Sequence, residues 1–199
     1  MRDEWVYVVT DIETDGHAPG PNSMLSFASV AVRADGTECG TFEAVLESLP
    51  GAAPEPATLA WWQTQPVEAW AAATTNPRPV PEVMADFVSW VQGLPRPRMF
   101  AASPIAFDGP WIDYYLRRFT RYGLVQDTSG DHLFDGAGLC LRSYAAAVLG
   151  YPVAELNPSV LPPQWLGNVE HTHRAIDDAR GYAHLLGELF RRTGAATRS

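Results

Sequence analysis

The chain has 199 residues, of which 46% are hydrophobic and 19% are charged, a composition typical of a folded globular protein and not of a disordered one. This length favours a single domain over residues 1–199. The formal net charge of −9 argues against a protein that coats long nucleic acid by bulk electrostatics, but not against an enzyme that holds a few nucleotides with the help of bound cations.

The first third of the sequence predicts three antiparallel strands. Residues 5–13, WVYVVTDIE, form an almost continuous apolar run of β-favouring residues, which is typical of a central strand buried on both faces. Residues 23–32 and 37–47 are two more such runs, separated by the turn sequence RADG, and they predict a β-hairpin. The segment DGHAPGPN before this hairpin is rich in Gly, Pro and Asn and predicts a loop.

The rest of the chain is predicted to be mainly helical, with one more short strand in RMFAAS, residues 98–103. Helices are predicted over residues 54–73 (broken near Pro66), 81–91, 108–122, 138–150 and about 174–192. Because strands come first and helices are interleaved later, the sequence indicates an α/β fold. We expect a mixed sheet of three antiparallel strands followed by parallel strands, flanked by helices.

The sequence carries no signal for a membrane or for secretion. No stretch of about 18 apolar residues occurs, and the first residues lack the small-residue cleavage site of a signal peptide. The two cysteines, Cys39 and Cys140, are far apart and have no other metal-ligating residue types beside them. We therefore expect a reduced cytoplasmic protein without a membrane partner, although a disulfide between the two is the alternative.

Two carboxylates stand at the end of the first predicted strand. Asp11 and Glu13 are two residues apart, and because side chains alternate along a strand, both point to one face, with Cα atoms about 6.5 Å apart. Two acids aimed the same way repel each other unless a cation lies between them. The alternative is a strand end at which both acids are simply solvated.

A third carboxylate, Asp108, lies on the apolar stripe of a predicted helix. It shares helical spacing with Ile112, Tyr115 and Phe119, which places it on the core-facing side. The alternative is a helix N-cap, since Pro110 follows two residues later and proline favours the start of a helix. The two roles do not exclude each other.

Helical phase separates the two neighbouring aspartates in HTHRAIDDARGYAHLL, residues 171–186. Asp178 shares a stripe with Tyr182, Leu185 and Leu186 and is predicted to face the core, whereas Asp177 is predicted to face solvent. The alternative is that both acids complement the positive end of the helix dipole, which explains Asp177 better than Asp178.

Four carboxylates from three distant segments suit one site for hard cations. Oxygen ligands without cysteine favour Mg²⁺ or Mn²⁺, and two such ions are the usual arrangement for displacement at a phosphodiester. His173 cannot share a helix face with Asp178, because residues five apart are about 140° apart on a helix. It is therefore predicted in the segment that leads into the helix, where a neutral imidazole suits a general base. The alternative is a polar loop residue.

The segments DIETDG, FDGPWIDYYL and HTHRAIDDA resemble the three motifs of the DEDDh 3′–5′ exonucleases. The segments PGPNSMLSFASVAV and ATLAWWQTQP look closest to the exoribonuclease branch of that family, with RNase AS, RNase T and oligoribonuclease. The resemblance implies a ribonuclease H-like fold and hydrolysis from a 3′ end with two divalent cations, Mg²⁺ or Mn²⁺. RNA would be the preferred substrate and nucleoside 5′-monophosphates the product. By position, it identifies Asp11, Glu13, Asp108 and Asp178 as catalytic residues that bind the metal ions. Since the family places its histidine five residues before the last acid, it makes His173 the base and leaves His171 out.

Candidate substrate contacts lie around the first motif. Thr14 and Gly16 offer a side chain and a close backbone approach to a terminal nucleotide. Either Met24 or Leu25 is a candidate for the apolar contact to the terminal base. The pair Trp61 and Trp62, with Trp62 preferred, is a candidate for stacking on a base, and the alternative is that both pack in the core. Five arginines, which either contact phosphate or solvate helix ends, are Arg117, Arg118, Arg121, Arg191 and Arg192.

Two other functions remain open from the sequence. One keeps the mechanism but makes single-stranded DNA the substrate, as in proofreading or repair. The other is a non-catalytic nucleic-acid-binding module, against which the complete set of four acids and a histidine counts. The resemblance also implies a homodimer, because related exoribonucleases are often dimeric.

Overall fold

The computed structural model of the chain describes residues 4–125 and 131–196. Its centre is one mixed sheet with the strand order β3-β2-β1-β4-β5. The strands are β1 (Val6–Thr14), β2 (Met24–Arg33), β3 (Glu38–Val45), β4 (Arg98–Ala102) and β5 (Leu139–Cys140). Strand β2 pairs antiparallel with both β1 and β3, whereas β4 runs parallel to β1 and β5 parallel to β4. The predicted mixed α/β sheet is confirmed.

Six helices flank the sheet in the described part of the chain. They are α1 (Pro56–Trp62), α2 (Val67–Thr74), α3 (Val80–Gly93), α4 (Ile105–Phe119), α5 (Leu141–Leu149) and α6 (Ala175–Ala196). The predicted break near Pro66 is confirmed, since Pro66 is the N-cap of α2. The prediction of a helix from residue 138 was wrong at its start, because residues 139–140 pair with β4 before α5 begins.

Strand β1 is buried on both faces, as predicted. Val6 and Val8 belong to the hydrophobic core on the side of α3 and α4. Tyr7 and Val9 alternate with them and belong to a second core, which α5 and α6 cover. Because side chains alternate along a strand, the acids that follow on β1 continue the row that faces α6.

The pairing of β4 with β1 stops early and leaves part of β1 without a strand on that side. The last parallel pair joins Val9 to Ala101, although β1 continues to Thr14.

Helix α4 begins three residues earlier than predicted, with Pro104 as its N-cap. Asp108 therefore lies in the first turn of α4, and its interpretation as an N-cap is wrong.

Among the described residues, no helix combines the length and the apolar character needed to cross a membrane.

Candidate active site

The four predicted acids come together where the open end of β1 meets α4 and α6. One carboxylate oxygen each from Asp11, Glu13 and Asp178 lie within 4.8 Å of one another. Asp108 lies close enough to this group for its charge to raise the pKa of Asp11 and of Glu13. Glu13, Asp108 and Asp178 are buried, at 7%, 3% and 4% exposure, and Asp11 is half-buried.

Burial makes Asp11, Glu13 and Asp108 hold protons more tightly than ordinary carboxyls, and repulsion by neighbouring acids adds to this for Asp11 and Glu13. Burial raises the pKa of Asp11 well above its ordinary value of 3.8, and the charges of the other three acids raise it further. Burial also raises the pKa of Glu13, and the charges of Asp178 and Asp108 add to it. The pKa of Asp108 is raised by burial from 3.8 to about 7, although backbone N–H groups, including that of Ile12, lower it. Such a cluster needs a compensating positive charge to be ionised at neutral pH.

Two buried oxygen atoms in this cluster have no hydrogen-bond donor among the described residues, namely Asp108 Oδ2 and Asp178 Oδ1. Asp178 Oδ1 lies 2.8 Å from the Nδ1 atom of His171, and this contact is an ion pair when the imidazole is protonated. Buried carboxylate oxygens that lack donors are costly unless they pair with a cation. The donor set of oxygen atoms alone therefore fits Mg²⁺ or Mn²⁺.

Both histidines of the HTH segment lie at the edge of the acidic cluster. His173 precedes α6, as predicted, and its positive φ of 55° turns the chain there. The imidazole of His173 is half-buried and packs edge-on against the rings of Trp61, at 5.0 Å, and of His171, at 4.7 Å. Burial lowers the pKa of His173, and the charge of His171 lowers it further. In contrast, the contact with Asp178 raises the pKa of His171.

Asp178 faces the interior, as helical phase predicts, whereas Asp177 is half-buried and not open to solvent as expected. Asp178 is buried in the acidic cluster. Asp177 is half-buried, accepts a hydrogen bond from the hydroxyl of Thr172 at 2.9 Å, and lies 3.5 Å from a guanidinium nitrogen of Arg174. It therefore ties the segment that carries the histidines to the first turn of α6.

A cavity of about 430 Å³ opens beside Glu13. Its lining residues are Ile12, Glu13, Thr14, Gly16, His17, Ala57, Thr58, Trp61, Trp62 and Phe107. The volume lies within the range of about 300–1,000 Å³ that is typical of small-ligand sites. The cavity combines a buried carboxylate at one end with exposed aromatic rings, because Trp61 and Phe107 are 40% and 41% exposed.

Trp61 and Trp62 differ in burial and in their contacts. Trp62 is 4% exposed, and its indole Nε1 donates a 2.9 Å hydrogen bond to the carbonyl of Thr14, so that it supports the end of β1. Trp61 exposes its ring to the cavity and contacts both Trp62 and His173. Of the pair, Trp61 offers more surface for a base to stack on. Sequence analysis did not identify Phe107. Its position as an aromatic residue directly before the acid of the second motif could have indicated a substrate contact.

Hydrogen bonds and close packing within the loop after β1 shape the cavity. A Cβ on Gly16 would lie 2.1 Å from the Cγ atom of Asn22, which explains a glycine at that position. The buried carboxylate of Asp15 accepts a 2.6 Å hydrogen bond from the backbone N–H of Ser23. At the rim, the imidazole of His17 contacts the carboxylate of Glu55. Sequence analysis did not identify Asp15 and Asn22 as the residues that hold this loop.

The expectation for Met24 is not met. Its side chain is fully buried in the core on the side of α3 and α4, and its backbone N–H donates to the hydroxyl of Tyr115 at 2.8 Å. Met24 therefore presents no surface to a ligand. Leu25 is also buried, in a small cluster with Trp62.

The five arginines named from the sequence are engaged within the protein. Arg117 pairs with Asp113 at 2.7 Å, and Arg121 with Asp131 at 2.6 Å. Arg191 and Arg192 both pair with Glu188 in the last helix. Arg118 packs over the ring of Tyr114. These contacts agree with the interpretation that the arginines solvate helix ends.

Comparison with known proteins gives a family and a fold. The model of the 3′–5′ exoribonuclease Rv2179c-like domain matches residues 6–190 of the chain. This match covers all four acids of the cluster and both histidines of the HTH segment. No curated protein sequence matches the chain.

Two solved structures illustrate the shared fold. One is Escherichia coli exonuclease I in complex with a dT13 oligonucleotide, with 17% identity and a TM-score of 0.65 over 98% of this chain and 42% of that one. The other is a 3′-exonuclease that recognises the 3′ end of a histone mRNA stem-loop, with 9% identity and a TM-score of 0.63 over 95% of this chain and 82% of that one. This chain therefore spans less than half the length of exonuclease I.

Proposed function

The chain belongs to the 3′–5′ exoribonuclease Rv2179c-like domain family, and on that premise we propose that it hydrolyses single-stranded RNA from the 3′ end and releases nucleoside 5′-monophosphates. The observation that carries the proposal is the buried cluster of Asp11, Glu13, Asp108 and Asp178, which lies next to a cavity with exposed aromatic rings. A protein that only binds nucleic acid has no use for a cluster of mutually repelling acids that faces its ligand.

The four acids would hold two divalent cations, Mg²⁺ or Mn²⁺. When bound, such ions neutralise the charge that develops on the phosphoryl oxygens and favour the ionised form of water. The four carboxylates come from three elements: Asp11 and Glu13 lie on β1, Asp108 lies on α4, and Asp178 lies on α6. Because these elements pack through the two cores, the positions of the oxygens are set before substrate arrives.

His173 is the proposed general base. Its lowered pKa keeps the imidazole neutral at pH 7, so that it can accept a proton from the attacking water. The water oxygen attacks the last phosphodiester phosphorus, and the 3′ oxygen of the preceding nucleotide leaves. The packing of His173 against Trp61 orients the ring at the edge of the cavity.

The cavity beside Glu13 is the proposed site of the terminal nucleoside. The exposed rings of Trp61 and Phe107 offer stacking surfaces, and stacking of a base on an aromatic side chain contributes about 1–3 kcal/mol. Thr14 and Gly16 line the same cavity and supply polar backbone and side-chain atoms near the sugar.

Digestion of a 5′-labelled oligonucleotide tests the proposal. With Mg²⁺ or Mn²⁺, the purified chain should shorten single-stranded RNA stepwise from its 3′ end, and nucleoside 5′-monophosphates should appear as products. A 3′-phosphorylated RNA of the same sequence is the matched control and should be digested more slowly. If neither metal supports release of mononucleotides from RNA or DNA, the proposal fails.

Matched ribo- and deoxyribo-oligomers decide between RNA and DNA as the substrate. The family description favours RNA, whereas the exonuclease I structure of similar fold holds a DNA oligonucleotide. Contacts to the 2′-hydroxyl separate the two substrates, so RNA should have the higher kcat/KM. Binding without cleavage of either would indicate a non-catalytic module.

The resemblance to exoribonucleases leads us to propose a homodimer, and the two separate cysteines lead us to propose a cytoplasmic location. Sedimentation of the purified chain tests the first, and fractionation of the cells that express it tests the second.

A further inference from the structure

We propose that His171, His173 and Asp178 form a binding site for a transition-metal cation such as Zn²⁺, which competes with catalysis. This site is different from the cluster of four carboxylates, although both use Asp178. One nitrogen from each histidine and one oxygen of Asp178 lie within 4.8 Å of one another. Two imidazoles and one carboxylate are a usual ligand set for Zn²⁺, and imidazole is a poor ligand for Mg²⁺.

The three ligand atoms of His171, His173 and Asp178 need to move only a little to coordinate an ion. Zinc ligands lie about 2.0–2.2 Å from the metal, so that two of them are at most about 4.4 Å apart. The imidazole rings of His171 and His173 are 4.7 Å apart at their centroids, and the side chain of His171 is 43% exposed. Small rotations of these rings therefore bring the three atoms to zinc-binding distance, and the ion can enter from solvent.

The buried Oδ1 atom of Asp178 also favours a bound cation at this site. Its Oδ1 atom is buried, has no hydrogen-bond donor among the described residues, and lies 2.8 Å from His171 Nδ1. The side chain is only 2% exposed, so solvent does not replace the missing donor. A cation between His171 and Asp178 would satisfy this oxygen. The proposed catalytic mechanism gives no role to His171, so the contact is otherwise unused.

Occupation of this site should inhibit hydrolysis. Zinc would take the lone pair of His173, which is the proposed base, and would hold the oxygen of Asp178 that the catalytic cations need. This second part rests on the proposed function, whereas the binding of zinc does not.

Zinc binding is measured first, in the absence of Mg²⁺ and substrate. In imidazole NMR spectra of the full chain, Zn²⁺ should shift the signals of His171 and His173 together. His171→Ala should weaken zinc binding by about tenfold or more, since loss of even an outer partner of a metal site costs about 10–100-fold. His184→Ala removes an exposed histidine from the same helix as Asp178 and is the matched control, with zinc affinity as in the wild type. If zinc moves neither imidazole, or binds His171→Ala as tightly as the wild type, the proposal is wrong.

Inhibition is measured second, by adding Zn²⁺ to the Mg²⁺-supported digestion of RNA. His171→Ala should need about tenfold more zinc than the wild type for the same inhibition. Equal inhibition of both proteins would overturn the inhibitory role. If the chain digests no nucleic acid at all, the proposed function fails, but the NMR experiment still decides whether the zinc site exists.

Discussion

The hydroxyl of Thr172 donates a 2.9 Å hydrogen bond to Oδ2 of Asp177, while the adjacent Asp178 lies buried among the other acids. Two neighbouring aspartates on one helix therefore have separate roles. Asp177 holds the segment that carries the histidines, and Asp178 faces the candidate metal site. Substitutions at these two positions separate the roles.

Asp178→Asn should reduce the kcat for RNA digestion by about a hundred- to a thousandfold or more, because it removes a charged oxygen ligand at the reacting phosphate. Asp177→Asn is its matched control, since the amide oxygen still accepts the hydrogen bond from Thr172, and it should keep most of the activity. Steady-state digestion of a labelled oligonucleotide measures both. Equal losses in the two variants would contradict the assignment of Asp178 to the site.

His173→Ala should lower kcat by about 10²–10⁴-fold, the usual contribution of a general base. His171→Ala, in the absence of zinc, should keep most of the activity, because the resemblance leaves His171 outside the reaction. A loss in His171→Ala as large as that in His173→Ala would point to His171 as the base.

The activity of the wild type should rise with pH through the pKa of His173. A base acts in its neutral form, so kcat/KM increases as His173 loses its proton. Burial lowers this pKa below the ordinary 6.5, so the rise should have its midpoint below pH 6.5. Profiles of kcat/KM against pH at saturating Mg²⁺ measure it, and a midpoint above 6.5 would disagree with the environment of His173.

Asp108→Asn should stabilise the metal-free protein at pH 8. The pKa of Asp108 is raised from 3.8 to about 7 in the folded state, so the folded state binds its proton more tightly than the unfolded state does. Stability from this group is therefore present below pH 3.8 and is lost as the pH rises to about 7. Asparagine removes this loss, and each 1 kcal/mol gained raises Tm by about 2–4 °C in a domain of this size.

Thermal unfolding with a chelator at pH 5 and at pH 8 checks this prediction. The difference in Tm between Asp108→Asn and the wild type should be larger at pH 8, and Mg²⁺ should stabilise the wild type more at pH 8 than at pH 5. An equal difference at both pH values would show that Asp108 titrates like an exposed carboxyl.

Trp61→Ala and Trp62→Ala should differ in kind. Trp61 is 40% exposed at the cavity, so its loss should weaken RNA binding by about 1–3 kcal/mol and leave Tm almost unchanged. Trp62 is buried and bonded to Thr14, so its loss should lower the free energy of unfolding by about 3–5 kcal/mol. KM values and thermal unfolding of both variants measure the contrast. A drop in Tm for Trp61→Ala as large as that for Trp62→Ala would contradict the separation.

Much of the fold and the identity of the acids follow from local patterns. The apolar run of β1 predicts a central strand, and the alternation of side chains places Asp11 and Glu13 on one face. The 3.6-residue period of α6 separates Asp178 from Asp177. These features are local because they depend on the geometry of a single strand or helix, which the order of residues encodes directly.

Other features depend on how distant segments pack. The early end of the β4 pairing opens the side of β1 that Asp108 approaches, and no local pattern contains that register. The same holds for Met24, whose burial was not predicted, and for Phe107 and Trp61, which come together at the cavity from α4 and α1. The contact of His171 with Asp178 also depends on the bend at His173, where φ is positive. The sequence by itself thus determined the strands, the helices and the four acids that come together. Tertiary packing alone decided which aromatic rings lie beside these acids and which histidine contacts Asp178. The reason is that those contacts join residues that no helix or strand period relates.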